Sequence, residues 1–227
     1  MTESYIFESM VQLFAIIMVN LMLSGDNAVV IAMACRNLPA KHQRMAIIWG
    51  TGGAVILRVL LTLIAAYLLT IPLLQFAGGA LLIWIAVKLL ADSSDCKDIK
   101  AGDCLAAAIK TIIIADLIMS LDNTLAIAAI AQGSLWLLTA GLILSVPIVV
   151  FGSTILIKVM GKFPIVIYIG AGLIAWAAGF MIRNDGIVGP YFAFLGPVWI
   201  LPALVTVGSV TVGYLWSRKL VTIQNNN

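Results

Sequence analysis

Ser24-Gly25-Asp26-Asn27 and Ser120-Leu121-Asp122-Asn123 decide how this sequence folds. Each lies within an apolar run long enough to cross a bilayer, roughly residues 8–34 and 105–131. Each puts a carboxylate and a carboxamide where hydrocarbon is expected. An aspartate at mid-membrane costs about 2.5–3.5 kcal/mol on insertion scales. A chain that bears this cost twice, in matching words, is expected to use the groups, as one polar site between two helices that holds a cation.

The surrounding composition sets the solvent. Of 227 residues, 63% are hydrophobic and 10% charged, and the mean hydropathy is +1.13. A soluble domain carries about 25% charged residues, so a soluble fold is excluded and a polytopic membrane protein is expected. Residues 1–12 contain Glu3 and Glu8 and no basic residue, so the basic n-region of a signal peptide is missing. Three cysteines do not form a disulfide framework, and the single histidine, His42, argues against a Cys/His metal cage. His42 is expected in a solvated loop.

Working outward, seven apolar stretches read as spans: about 8–34, 43–70, 73–91, 105–131, 135–158, 164–182 and 192–216. Pro39, Pro72, Gly133, Pro164 and Gly189-Pro190 punctuate the short connections; only 92–104 is a polar loop of any size, and the tail from Ser217 is expected to fray. Of the thirteen Lys and Arg, all but Arg58 and Arg183 fall in or beside loops on one side. By the positive-inside rule that side is the cytoplasm, which puts the N-terminus outside and Cys35, Cys96 and Cys104 on the reducing side as free thiols.

The two words align at an offset of 96 residues, and the match spreads: Asn20 with Asp116, Ser24 with Ser120, Asp26 with Asp122, Asn27 with Asn123, Ile31 with Ile127. Gly78, Leu81 and Trp84 match Gly170, Leu173 and Trp176 at an offset of 92. The fold expected is therefore an all-α, single-domain membrane protein of seven transmembrane helices. Repeat A spans about 8–91, repeat B about 105–182, and an extra helix about 192–216. A three-span unit reverses direction on repetition, which makes this a 3+3 inverted repeat. Such repeats hold their sites near the midplane, often at broken helices, and Gly25 is the candidate break.

The candidate ligands are Asp26, Asn27, Asp116, Asp122 and Asn123, with Asn20, Ser24, Ser120 and Arg58 as supporting residues. Residues i, i+4 and i+7 share a helix face, which groups Asn20, Ser24 and Asn27, and likewise Asp116, Ser120 and Asn123. These side chains offer only oxygen, which suits Mg²⁺, Ca²⁺ and Mn²⁺, and clustered carboxylates titrate together, which allows proton exchange for metal. Arg58, inside span 2, needs an anionic partner among Asp26, Asp116 and Asp122. It either holds the site together until a cation enters or forms a static ion pair. Gly50, Gly52, Gly53, Gly78, Gly79, Gly170 and Gly172 are expected at close helix contacts.

Leu23-Ser24-Gly25-Asp26-Asn27-Ala28, Asp116 and Ser120-Leu121-Asp122-Asn123 together resemble the TerC-type integral membrane proteins, within a wider LysE-like exporter superfamily. The stretch Ser145-Val146-Pro147-Ile148-Val149-Val150-Phe151-Gly152-Ser153 resembles the YjbE-type branch. The resemblance covers about residues 7–183 and implies export of Mn²⁺ as substrate, ahead of Ca²⁺ or Mg²⁺. It departs at Asn20 and near Phe180, where relatives carry acidic residues. The expected partners are the lipid bilayer of a bacterial plasma membrane and the divalent cation, with no nucleic acid; a homodimer stays open. No enzyme activity is expected. Two rival readings are an intramembrane aspartyl protease built on Asp26 and Asp122, and a membrane factor that loads metal onto secreted proteins.

Overall fold

The structure, a computed structural model, describes residues 10–19, 25–68, 71–91, 101–131 and 135–225; the side chains of 65–67, 101, 122–131, 135, 137–138 and 220–225 are outside that description. Among the described residues every regular element is a helix: α1 (Met10–Val19), α2 (Gly25–Cys35), α3 (Ala40–Leu68), α4 (Leu74–Ala91), α5 (Ala101–Ala131), α6 (Leu135–Lys162), α7 (Ile165–Asn184), a 3-10 turn (Gly189–Leu195) and α8 (Ile200–Asn225). Six of them, α3 to α8, are long and apolar enough to cross a membrane. Trp49, Trp136, Phe151 and Phe194 lie on the outside, whereas Arg58 and Asp116 are inside. Apolar residues outward and charges inward is the arrangement a lipid solvent imposes.

The first expected span, 8–34, is represented by α1 and α2 on either side of residues 20–24, which are outside the described residues. The break expected at Gly25 falls at the edge of that segment, and helix α2 is described from Gly25 onward.

Span 7 differs more from its expected bounds. The segment from 192 begins as a 3-10 turn. Gly196 has φ 76°, a left-handed conformation that glycine adopts freely, and Pro197 follows it, so the long helix starts only at Ile200. It then continues to Asn225, through the tail expected to fray. His42 is also not in a loop: it lies half-buried in the first turn of α3, with its Nδ1 shielded and without a partner.

The helices pack in two groups. In the first, α4, α7 and α8 touch pairwise, and glycine makes each approach possible. A Cβ on Gly79 would come 2.8 Å from the Ala178 carbonyl of α7, one on Gly179 would come 2.5 Å from Cα of Pro202 in α8, and one on Gly213 would come 2.7 Å from Leu90 in α4. In the second group, α3 lies along α5, α2 along both α5 and α6, and α3 along α6. Gly50 and Gly53 admit Ile112 and Ile113 of α5. Gly78 and Gly170 join the groups: Gly78 meets Ile118 of α5, and Gly170 meets Val29 of α2. Gly52, expected at a contact, has nothing within 4 Å and borders an apolar groove between α3 and α6.

Candidate functional site

Three helices bring polar side chains together inside the second group. On α3, Ile47, Thr51, Ala54, Arg58 and Leu61 form one buried stripe at helical spacing, so Arg58 cannot turn to lipid. On α5, Asp116 and Ser120 are one turn apart on the same face. On α2, Asn27 faces them.

Arg58 Nη2 donates to Asp116 Oδ1 at 2.6 Å, and Asn27 Nδ2 donates to the same oxygen at 2.8 Å. Arg58 Nε donates to Ser120 Oγ at 2.9 Å, and the Ser120 hydroxyl donates to Asp116 Oδ2 at 3.3 Å. Of the three carboxylates considered for Arg58, Asp116 is paired with it; the side chain of Asp122 is outside the described residues. Asn27, Arg58 and Asp116 are 3%, 5% and 9% exposed, so the attraction acts in a medium of low dielectric. Removing one partner of such a pair costs about 3–5 kcal/mol, because the other charge stays buried.

On α2, Asp26 Oδ1 accepts the N–H of Asn27 at 2.9 Å. Asp26 is half-buried, near enough to Asp116 and Arg58 to feel both charges. Helix α5 runs unbroken through Asp122 and Asn123; Leu121 stands there where the first word has Gly25, and leucine favours helix by nearly 1 kcal/mol over glycine.

The side chains of Asp122 and Asn123, and all of Asn20 and Ser24, lie outside the described residues, so the expected ligand set is joined only in part: Asn27, Asp116, Ser120 and Arg58, with Asp26 beside them. Among the described residues no three Asp, Glu, His or Cys gather as a metal cluster. What is assembled is one carboxylate, one amide and one hydroxyl around a guanidinium, an all-oxygen acceptor set suited to hard cations.

A cavity of about 30 Å³ adjoins this cluster, lined by Asn27, Thr51, Arg58, Asp116, Ser145 and apolar neighbours. It exceeds the roughly 10–15 Å³ that one water needs. Thr51 and Ser145 were not among the expected site residues. A lone threonine or serine in an apolar run has no distinguishing pattern, because its neighbours come from other helices.

Asp185 is another residue that spacing could not reveal. It ends α7 and turns back: Oδ1 accepts the N–H groups of Ile187 and Val188, and Oδ2 that of Phe76, in the first turn of α4, each at 3.0 Å. Burial pushes this carboxyl up, but the three N–H donors outweigh it and hold the group below the usual carboxylate range. Arg183 closes the same loop by donating to the Gly189 carbonyl at 2.8 Å.

The model of the family described as "Integral membrane protein TerC family" matches residues 6–220. The chain belongs to the TerC family. It is 42% identical over 211 residues to the "Uncharacterized membrane protein YjbE" of Bacillus subtilis (strain 168), covering 93% of this chain and 97% of that protein. It is also 24% identical over 153 residues to the "Uncharacterized membrane protein YceF" of the same organism, 63% of this chain and 59% of YceF. No solved structure matches. The TerC family is linked to metal-ion transport, and its members are generally transporters rather than enzymes. The protein is thus a multi-pass integral membrane protein of a transport-linked family.

Proposed function

We propose that this TerC protein is a LysE-like exporter of divalent cations, with Mn²⁺ as its substrate, in the bacterial plasma membrane. The single observation behind this reading is the buried Asp116. Three helices converge on one carboxylate, and the cation it holds is an arginine side chain that a metal ion can replace. In the exchange, Arg58 leaves Asp116 as the dication arrives. Asp116, Asn27 and Ser120 then supply oxygen ligands, with Asp26, Asp122 and Asn123 completing the set. A site mixing amides with carboxylates favours Mn²⁺ over Mg²⁺, which demands near-ideal octahedra and sheds water reluctantly.

An inverted repeat, with α1–α2 as a broken first span, is supported by the packing. Helix α2 lies on α6 as α5 lies on α3, and on α7 as α5 lies on α4. The same relation joins Gly78 facing α5 to Gly170 facing α2. The charge bias supports seven spans with the N-terminus outside.

The test is Mn²⁺ uptake by everted membrane vesicles. Wild-type vesicles accumulate Mn²⁺ above vesicles lacking the protein, while Asp116→Asn and Asp122→Asn vesicles match that background. Equal uptake with and without the protein overturns the assignment to Mn²⁺ export.

A further inference from the structure

The ion pair does not exhaust the buried polar atoms. Asn27 Oδ1 and Thr51 Oγ1 are both fully shielded and have no hydrogen-bond partner in the protein. Thr51 is 5% exposed and Asn27 3%, and both line the cavity beside Asp116. A helical hydroxyl normally donates to the carbonyl three or four residues back, as the buried Ser145 and Ser153 and the less buried Thr62 do here. Thr51 does not. Two orphaned oxygens at one cavity, next to a carboxylate, form a ligand set that the protein itself leaves incomplete.

The cavity also has a direction. From the level of the ion pair its lining runs from Asn27 to Ile31 on α2, from Arg58 back to Thr51 on α3, from Asp116 back to Ile112 on α5, and from Ser145 to Val149 on α6. On every helix this leads toward the loops that carry the basic residues. Beyond it, Ile31, Cys35, Leu38, Ile47, Ala108 and Ile112 close into a buried apolar layer.

We propose that this cavity is a waiting site for the transported divalent cation on the cytoplasmic side of the Arg58–Asp116 pair. Thr51 Oγ1 and Asn27 Oδ1 supply neutral oxygen ligands there, and the apolar layer at Ile31 and Ile112 is the gate behind it. This rests on the export reading above. Asn27 links the two positions, because its Oδ1 faces the waiting cation while its Nδ2 holds Asp116. A cation on Oδ1 polarises the amide and strengthens its N–H bond to the carboxylate, which helps Asp116 release Arg58.

The test uses the full-length protein in everted vesicles, with initial Mn²⁺ uptake read against Mn²⁺ concentration for wild type, Thr51→Val, Thr51→Ser and Asp116→Asn. Valine has threonine's shape without the hydroxyl, and losing an unpartnered hydroxyl does not weaken the fold, so the purified variant melts at or above the wild-type temperature. Losing one ligand to a charged guest raises its KM about tenfold with kcat within about twofold, and Thr51→Ser restores the wild-type KM. Wild-type KM in Thr51→Val, with Asp116→Asn inactive in the same assay, overturns the waiting site and leaves the export reading standing. No uptake by wild type overturns the export reading itself. A Thr51→Val protein that melts early and whose KM is unchanged per folded molecule assigns Thr51 a structural role and also overturns the proposal.

Discussion

The two groups of helices are built on opposite principles. Where α4, α7 and α8 meet, glycines bring backbones together and the contacts are apolar, from Leu82 and Ile85 to Ile174 and Ala178. Where α2, α3, α5 and α6 meet, a charged pair, an amide and three hydroxyls (Thr51, Ser120 and Ser145) share the interior with a cavity. Between membrane helices, close packing does what the hydrophobic effect does in water, so the first group has few alternative arrangements. The second is held by directional bonds, which the proposed export mechanism has a cation exchange. On that reading one group serves as the frame and the other as the working part.

Mutations that act on one group and spare the other test this division. The largest effect is expected at the pair. Arg58→Met leaves Asp116 buried without its cation and lowers stability by about 3–5 kcal/mol. Arg58→Met combined with Asp116→Leu restores most of it, because nothing charged remains unpaired, while Mn²⁺ uptake stays absent. Thermal melts of the purified single and double variants decide this; equal loss in both contradicts the ion-pair account.

The frame comes next. Gly179→Ala drives a methyl group into the Pro202 backbone, which cannot rotate away as a flexible side chain does. The expected loss is about 1–3 kcal/mol, with transport per folded molecule unchanged. If uptake falls in proportion to the remaining site rather than to folded protein, the two groups are coupled and the comparison breaks.

Asp185 ties α7 to the start of α4 within the frame. Asp185→Ala removes an acceptor shared by three N–H groups and costs about 1–2 kcal/mol. Its pH dependence has a defined sign. The folded carboxyl titrates lower than the unfolded one, so its contribution is complete above about pH 4 and is lost as pH falls through the folded value. Acid melts of wild type and Asp185→Asn check this: the variant lacks that part of the acid sensitivity, starting lower and falling less.

The smallest effect is expected at Leu73, which holds φ 63° at the turn before α4. A side chain in the left-handed region costs about 1–2 kcal/mol, of which glycine's greater unfolded freedom takes back up to about 1. Leu73→Gly therefore stabilises slightly, by about 0.5 kcal/mol, seen as a small rise in melting temperature.

Much of the frame was legible in advance because period and composition are local properties. Spans 73–91 and 164–182 lie within two residues of α4 and α7 at each end, since Pro72 and Pro164 mark their starts. Span 7 was misplaced because its apolar composition runs on through Gly196-Pro197, and hydropathy ignores a backbone turn. At the site, Asn27, Arg58 and Asp116 were legible as costly residues in apolar runs, and Ser120 through the repeat that matches it to Ser24. Thr51 and Ser145 were not, because a hydroxyl in a helix carries no such cost and neither belongs to the repeated words.

By itself the sequence determined the solvent, the helices and the residues that a membrane would not tolerate without purpose, since each of these follows from apolar runs and from groups whose burial is expensive wherever they are. Only the tertiary structure decided the partners: that Arg58 answers Asp116 across 58 residues and Asn27 answers it across 89, and that Thr51 is left with none. Pairing depends on which helix faces are brought together, and helices packed face to face align residues far apart in the chain.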